Sequence, residues 1–312
     1  MQREYLIASP GYAHFCGGIV VLHYLAHRLN ERGYKAYVTG SHKNPAWNTE
    51  YAKDLDQEHL RDLQHNGIIV YPDIVPHNPC RFTHVVKWWL GTTQPTPPNQ
   101  LPFAFCEAHQ TEGARCENVL YLPPDIEPFF TDPEVENRKG ISVYSGKGGG
   151  MNYAPVAETG TWGAPAPNCT IIQAGSPPTR EELARLLQSS EVFYCYDNMS
   201  ILTVEARLCG TPVIMCGYMI LSKDSFNKSE FPLLGMGMYD DHIPIQKLKD
   251  EIPQFRELYV ERMAQRDKEL DKFIEISQNW NPDNVYVEDV DPTDPNAHKI
   301  YGHQNFDLFK ER

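Results

Sequence analysis

Tyr196-Asp197-Asn198-Met199-Ser200-Ile201-Leu202-Thr203-Val204-Glu205-Ala206-Arg207-Leu208-Cys209-Gly210-Thr211-Pro212-Val213-Ile214 is the stretch that decides the fold. The apolar run Glu191 to Tyr196 before it reads as a strand. Asp197, Asn198 and Ser200 are good helix caps, so a helix opens near Ser200 and runs to Leu208. Gly210 closes it and Pro212 to Met215 starts the next strand. Strand, polar turn, helix, strand is a parallel α/β unit, and ligands of open α/β sheets gather at the carboxyl ends of the strands. The amides that open the helix, Ser200, Ile201 and Leu202, suit a diphosphate there. Asp197 at the strand end suits a sugar hydroxyl, and Glu205 suits the two hydroxyls of a ribose. Taken alone, Asp197 reads first as a plain cap and Glu205 as a solvated helix residue.

Upstream, the pattern is the same. Ile141 to Tyr144 reads as a strand followed by Gly146-Lys147-Gly148-Gly149-Gly150, and Thr170 to Ile172 as another. Thr179 with Glu182 three residues on forms a capping box that opens a helix. Gly146-Lys147 lacks the Ser or Thr and the glycine spacing of a phosphate loop of the NTPase type. The first third repeats the scheme: a strand at Tyr5 to Ala8, a glycine loop ending in Gly17-Gly18, a helix with Ile19, Leu22, Leu25 and Leu29 in phase, Gly33 after it, and a strand at Ala36 to Thr39. Further strands are expected at Ile68–Tyr71, His84–Trp89, Phe103–Cys106 and Val119–Leu122. Two runs of alternating strands and helices predict two Rossmann-like domains with mostly parallel sheets.

The central segment resembles the acidic-x7-acidic motif of retaining glycosyltransferases of the GT-B fold, family 4 above all. There the form is Glu, seven residues, Glu-Ala, then Gly-x-Pro-Val. Here Asp197 stands for the first Glu, while Glu205-Ala206 and Gly210-Thr211-Pro212-Val213 match. Gly17-Gly18, the segment Pro123 to Phe129, and Val143-Tyr144-Ser145-Gly146-Lys147-Gly148 sit at family-like places, so the likeness spans roughly residues 1 to 220. It implies two domains facing across a cleft: an acceptor domain over 1–130, a nucleotide-sugar domain over 131–285, and a tail over 286–312 that crosses back. It also implies a catalytic set of Lys147, Asp197 and Glu205, with Lys147 meeting the donor diphosphate and offsetting charge on the leaving group. Gly17, Gly18, Gly146, Ser200, Ile201 and Leu202 would then line the donor. Lys147 stands alone where the family often has Arg and then Lys, and Asp197 is shorter than the usual Glu. His14 in the first glycine loop and His109 after a strand are weaker candidates for contact with acceptor or sugar. Trp47, Trp88 and Trp89 read as core residues or as stacking platforms.

The formal net charge of −13 over 312 residues argues against nucleic acid or an anionic membrane as partner. No apolar run is long enough for a membrane span or a signal peptide. The eight cysteines contain no C-x-x-C pair, which predicts reduced thiols, a cytoplasmic setting and no zinc site. Asp289-Val290-Asp291 lies in the acidic tail, away from any strand end, so the donor diphosphate is expected to be neutralised by Lys147 and amides without a metal. The function these features imply is transfer of a sugar from a nucleoside diphosphate to a hydroxyl acceptor such as a glycan. A nucleotide-sugar epimerase or hydrolase, and a non-catalytic sugar- or nucleotide-binding module, are the other readings of the same residues.

Overall fold

A computed structural model describes residues 2–135, 138–144, 146, 169–173, 175–197, 199–216, 223–227 and 232–282. These form two compact units, one of residues up to Pro124 together with the chain from Gln265 onward, the other of Asp125–Ala264.

The first unit holds strands β1 (Tyr5–Ile7), β2 (Ala36–Val38), β3 (Glu50–Tyr51), β4 (Ile68–Pro72), β5 (His84–Trp89) and β6 (Gln100–Ala104), with helices α1 (Gly17–Glu31) and α2 (Gln57–Asn66). The sheet order is β3-β2-β1-β4-β5-β6, and every pairing is parallel. Helices cover both faces, which is why the strands read as unbroken apolar runs. Tyr5, Ile7, Val70, Val86 and Trp88 pack with Leu22, Leu25 and Leu29 of α1. Leu6, Ile69, Tyr71 and Val85 face the other way and pack with Leu60 and Leu63 of α2. Each such fully buried side chain contributes roughly 1.5–3 kcal/mol.

The second unit holds β7 (Ile141–Tyr144), β8 (Cys169–Ile172), β9 (Val192–Cys195), β10 (Val213–Met215) and β11 (Met236–Met238), with α3 (Arg180–Ser189), α4 (Leu202–Leu208), α5 (Lys223–Asn227) and α6 (Ile245–Met263). Its sheet, β11-β10-β9-β7-β8, is also parallel throughout. The fold class expected from the sequence, two Rossmann-like units with parallel sheets, is thus the observed one.

Several elements differ from their expected bounds. Helix α7 (Arg266–Asn279) packs on the first sheet, not with the second half of the chain. Its Phe273 ring lies 4.9 Å from Phe103 and 6.0 Å from Tyr5, and Ser277 Oγ is 2.8 Å from Tyr5 Oη. The change of unit therefore falls at Gln265, short of the expected 285, because Leu270, Phe273 and Ile274 find their apolar surface there. The other boundary falls after Pro124 rather than at the expected 130. Asp132 is fixed inside the second unit by Arg138 at 2.5 Å and Arg256 at 2.8 Å, and these charges hold its carboxyl below the usual range against the opposing pull of burial. Strand β6 starts at Gln100 and includes Pro102, which an edge strand tolerates. Leu120, Tyr121 and Leu122 are buried, but the expected strand Val119–Leu122 makes only an isolated bridge, Ala104 to Val119. Among the described residues no helix is long and apolar enough to cross a membrane.

Candidate functional site

In the second unit the chain runs from β7 to β8 on one side of the sheet and then to β9 on the other. The direction of winding reverses between β7 and β9, and the crevice at their carboxyl ends is where such sheets take ligands. Gly146 follows β7 and Asp197 follows β9. A Cβ built on Gly146 would lie 3.7 Å from the Asp197 Cβ, so the two expected site residues are neighbours. Gly146 holds φ +95°, a left-handed conformation that a side chain at this position would strain. Lys147, expected next to it, lies outside the described residues.

Asp197 closes the turn. Its Oδ1 accepts from the Met199 amide at 3.1 Å, and its carbonyl accepts from the Ser200 amide at 3.1 Å. The Leu202 amide donates to Ser200 Oγ at 3.3 Å. Two of the three amides expected to face a phosphate thus already have acceptors in the protein. The helix they open is short: α4 spans 7 residues and begins at Leu202 rather than Ser200.

Glu205 is not a solvated helix residue. It is 1% exposed, and Arg180 grips both carboxylate oxygens, Nη2 to Oε1 at 2.5 Å and Nη1 to Oε2 at 3.2 Å. The other edge of the guanidinium holds Glu127, Nε to Oε1 at 3.2 Å and Nη2 to Oε2 at 3.0 Å, and the cation lies 4.6 Å from the centre of the Phe130 ring. Burial pushes the Glu205 carboxyl up and the Arg180 charge opposes it. Burial also works to lower Arg180, but the two carboxylates outweigh it and raise it further above the ordinary arginine value. A bidentate pair at these distances keeps both partners ionised. The sequence reading missed Arg180. Its signal was its position: it is the first residue of α3, after the Thr179–Glu182 capping box, where the helix dipole disfavours a cation. An arginine there calls for anionic partners.

The other expected residues lie in the first unit. Gly17 and Gly18 open α1, and the space a Cβ would take at Gly17 is empty to 4 Å. At Gly18 it would meet only Leu90, at 3.7 Å. His14 is exposed beside Phe15, their ring centres 5.4 Å apart. His109 is 9% exposed and packs against Phe105, and burial lowers it to about 4, which makes it a neutral core histidine rather than a presented one. Trp88 and Trp89 are buried, and Trp47 stacks on His27 at 5.9 Å, so all three serve packing.

No protein-family model matches the chain, and no curated protein matches it. Solved structures do. The glycosyltransferase of kitacinnamycin is similar at 10% identity and a TM-score of 0.51, over 89% of this chain and 100% of that one. The glycosyltransferase SnogD from Streptomyces nogalater follows at 13% identity and 0.42, over 87% of this chain and 96% of that one. The apo lipopolysaccharide outer core galactosyltransferase WaaB gives 11% and 0.43, over 89% and 97%. At a TM-score of 0.51 the first of these shares the fold of this chain.

Proposed function

We propose that this chain is a glycosyltransferase that moves a sugar from a nucleoside diphosphate to a hydroxyl acceptor, with retention at the anomeric carbon and without a metal. The observation that carries the reading is the meeting of Gly146 and Asp197 at the point where the second sheet reverses its winding. An acid after one strand end and a glycine after the other leave room for a sugar diphosphate beside them. The shared fold of a solved glycosyltransferase supports it.

In this reading Asp197 binds a hydroxyl of the transferred sugar and Glu205 the ribose. Lys147 and the Ile201 amide meet the diphosphate, which also draws the Ser200 and Leu202 amides from their present acceptors. The bond from the anomeric carbon to the diphosphate breaks and one to the acceptor oxygen forms. The leaving phosphate takes the acceptor proton, so no strong general base is required. Lys147 offsets the charge that builds on the phosphate. The acceptor falls to the first unit, with His14 at hand.

The test is release of nucleoside diphosphate from a panel of nucleotide sugars, with and without hydroxyl acceptors, and proton NMR of the product anomer. Lys147→Ala should lower kcat by more than it raises Kd, and Glu205→Ala should mainly raise Kd. Wild-type rates in both variants would remove the assignment, and an inverted anomer would remove retention. A chelator should leave the rate unchanged.

A further inference from the structure

We infer that Arg180 is a positioning residue: it sets the Glu205 carboxylate in the orientation and charge state in which that group receives the donor ribose, a role that rests on the function proposed above. The geometry points to it. Glu205 is 1% exposed, and a carboxylate so buried tends to take up a proton unless a charge holds it ionised. Arg180 supplies that charge through two near-parallel bonds at 2.5 and 3.2 Å. A bidentate fork also fixes the plane of the carboxylate, which a single contact does not. The fork is itself fixed, since Glu127 holds its other edge and Phe130 its face.

The ionised form matters because each oxygen keeps an acceptor site beyond the one Arg180 takes, whereas a protonated carboxyl spends one oxygen on its own hydrogen. A ribose diol offers two donors. Among the described residues, the charged and titratable groups about Glu205 are Arg180 on α3, Glu127 on the segment entering the unit, and the Cys209 thiol at the end of α4. From α6, Arg256 turns to Asp132 and to the Leu208 carbonyl instead. Arg180 is therefore the cation on which the charge of Glu205 depends.

The test is the Kd of the nucleoside diphosphate that stabilises the wild-type chain most, chosen from UDP, GDP, dTDP, CDP and ADP, measured between pH 6 and 9. Without Arg180 the Glu205 carboxyl rises further, so it is protonated at the acid end and ionises as pH climbs. Arg180→Met should bind about tenfold more weakly at pH 6.5 and recover toward pH 9, while the wild type stays flat. Arg180→Lys keeps the charge but not the fork, so it should be flat in pH and about threefold or more weaker. A purely structural role for Arg180 would lower the melting temperature of Arg180→Met without changing the pH profile of binding, and that result overturns the inference. If Arg180→Met does not fold, wild-type affinity in Arg180→Lys overturns it. Glu205→Gln separates the two claims: binding lost there but unchanged in both Arg180 variants sinks the inference and leaves the proposed function standing. A wild-type chain that binds none of the five sinks the proposed function, and the inference with it.

Discussion

The two sheets share a winding scheme, but the loop after β1 of the first and the α3–α4 pair of the second are held by different forces. In the first unit the loop after β1 is fixed by neutral hydrogen bonds and by backbone contact. The Ser9 amide donates to Thr39 Oγ1 at 3.0 Å, that hydroxyl donates to the Ser9 carbonyl at 2.9 Å, and His23 Nε2 donates to the Pro10 carbonyl at 2.9 Å. In the second unit Glu205, Arg180 and Glu127 form an ionic cluster on α3 and α4, while Asp132, Arg138 and Arg256 form another at the opposite end of the sheet, where Arg138 precedes β7 and donates to Thr211 Oγ1 ahead of β10. The loop after β1 is thus a neutral end and the Glu205 cluster an ionic one, although the first sheet carries charge of its own in the half-buried Asp73 after β4 and the buried Lys87 on β5. Fixed charges in a low-dielectric setting are costly to bury.

This contrast can be broken at either end. The largest effect is expected from Arg180→Met, which leaves a buried carboxylate unpaired. It should cost about 3 kcal/mol or more of stability, read as a lower urea midpoint at unchanged slope. At the neutral end, acid should do the damage. His109 is lowered to about 4 by burial, and His23 is lowered for the same reason. The unfolded chain then binds protons that the folded chain refuses, so stability should fall as pH drops from about 6.5 to 4, by about 3 kcal/mol for His109. His109→Phe should flatten that slope. A smaller loss, about 1–3 kcal/mol, is expected from Gly40→Ala, since the new Cβ would sit 2.3 Å from the Pro10 carbonyl oxygen and the backbone would have to move. Smallest of all, Gly17→Ala should change stability by less than about 0.5 kcal/mol, because nothing lies within 4 Å of its Cβ.

Much of the fold was legible because both sheets are covered on both faces. Tyr5-Leu6-Ile7, Ile68 to Tyr71 and His84 to Trp89 are apolar without alternation, and only a doubly buried strand demands that. The Thr179–Glu182 capping box was equally plain and fixes the start of α3. Other elements leave weaker marks. β3 has 2 residues, and β11 is Met236-Gly237-Met238, so neither shows a period. Helix α6 carries the exposed Pro253 in its interior, where a proline normally argues for an end. Leu248, Ile252 and Phe255 bury the same face across it and hold it helical.

The site was legible in its residues but not in their state. Gly146 and Asp197 were named from a motif and do meet, because the strands that carry them are neighbours. The burial of Glu205 had no local mark, since a glutamate amid Thr203, Val204 and Ala206 looks like any helix carboxylate. Its partner Arg180 lies on a different helix, and only tertiary packing brings the two together. His109 misled for the mirror reason: a strand end suggested presentation, while Phe105 and the turn at Glu107–His109 cover it.

The central claim is that the ionic end of this chain binds a nucleoside diphosphate. The direct measurement is a thermal-shift titration of the full chain with UDP, GDP, dTDP, CDP and ADP, run beside Glu205→Ala. A ligand of the native state raises the melting temperature as its concentration passes Kd. The account predicts a concentration-dependent rise with at least one of the five that is absent in the variant. No rise with any of them, or an equal rise in Glu205→Ala, would contradict it.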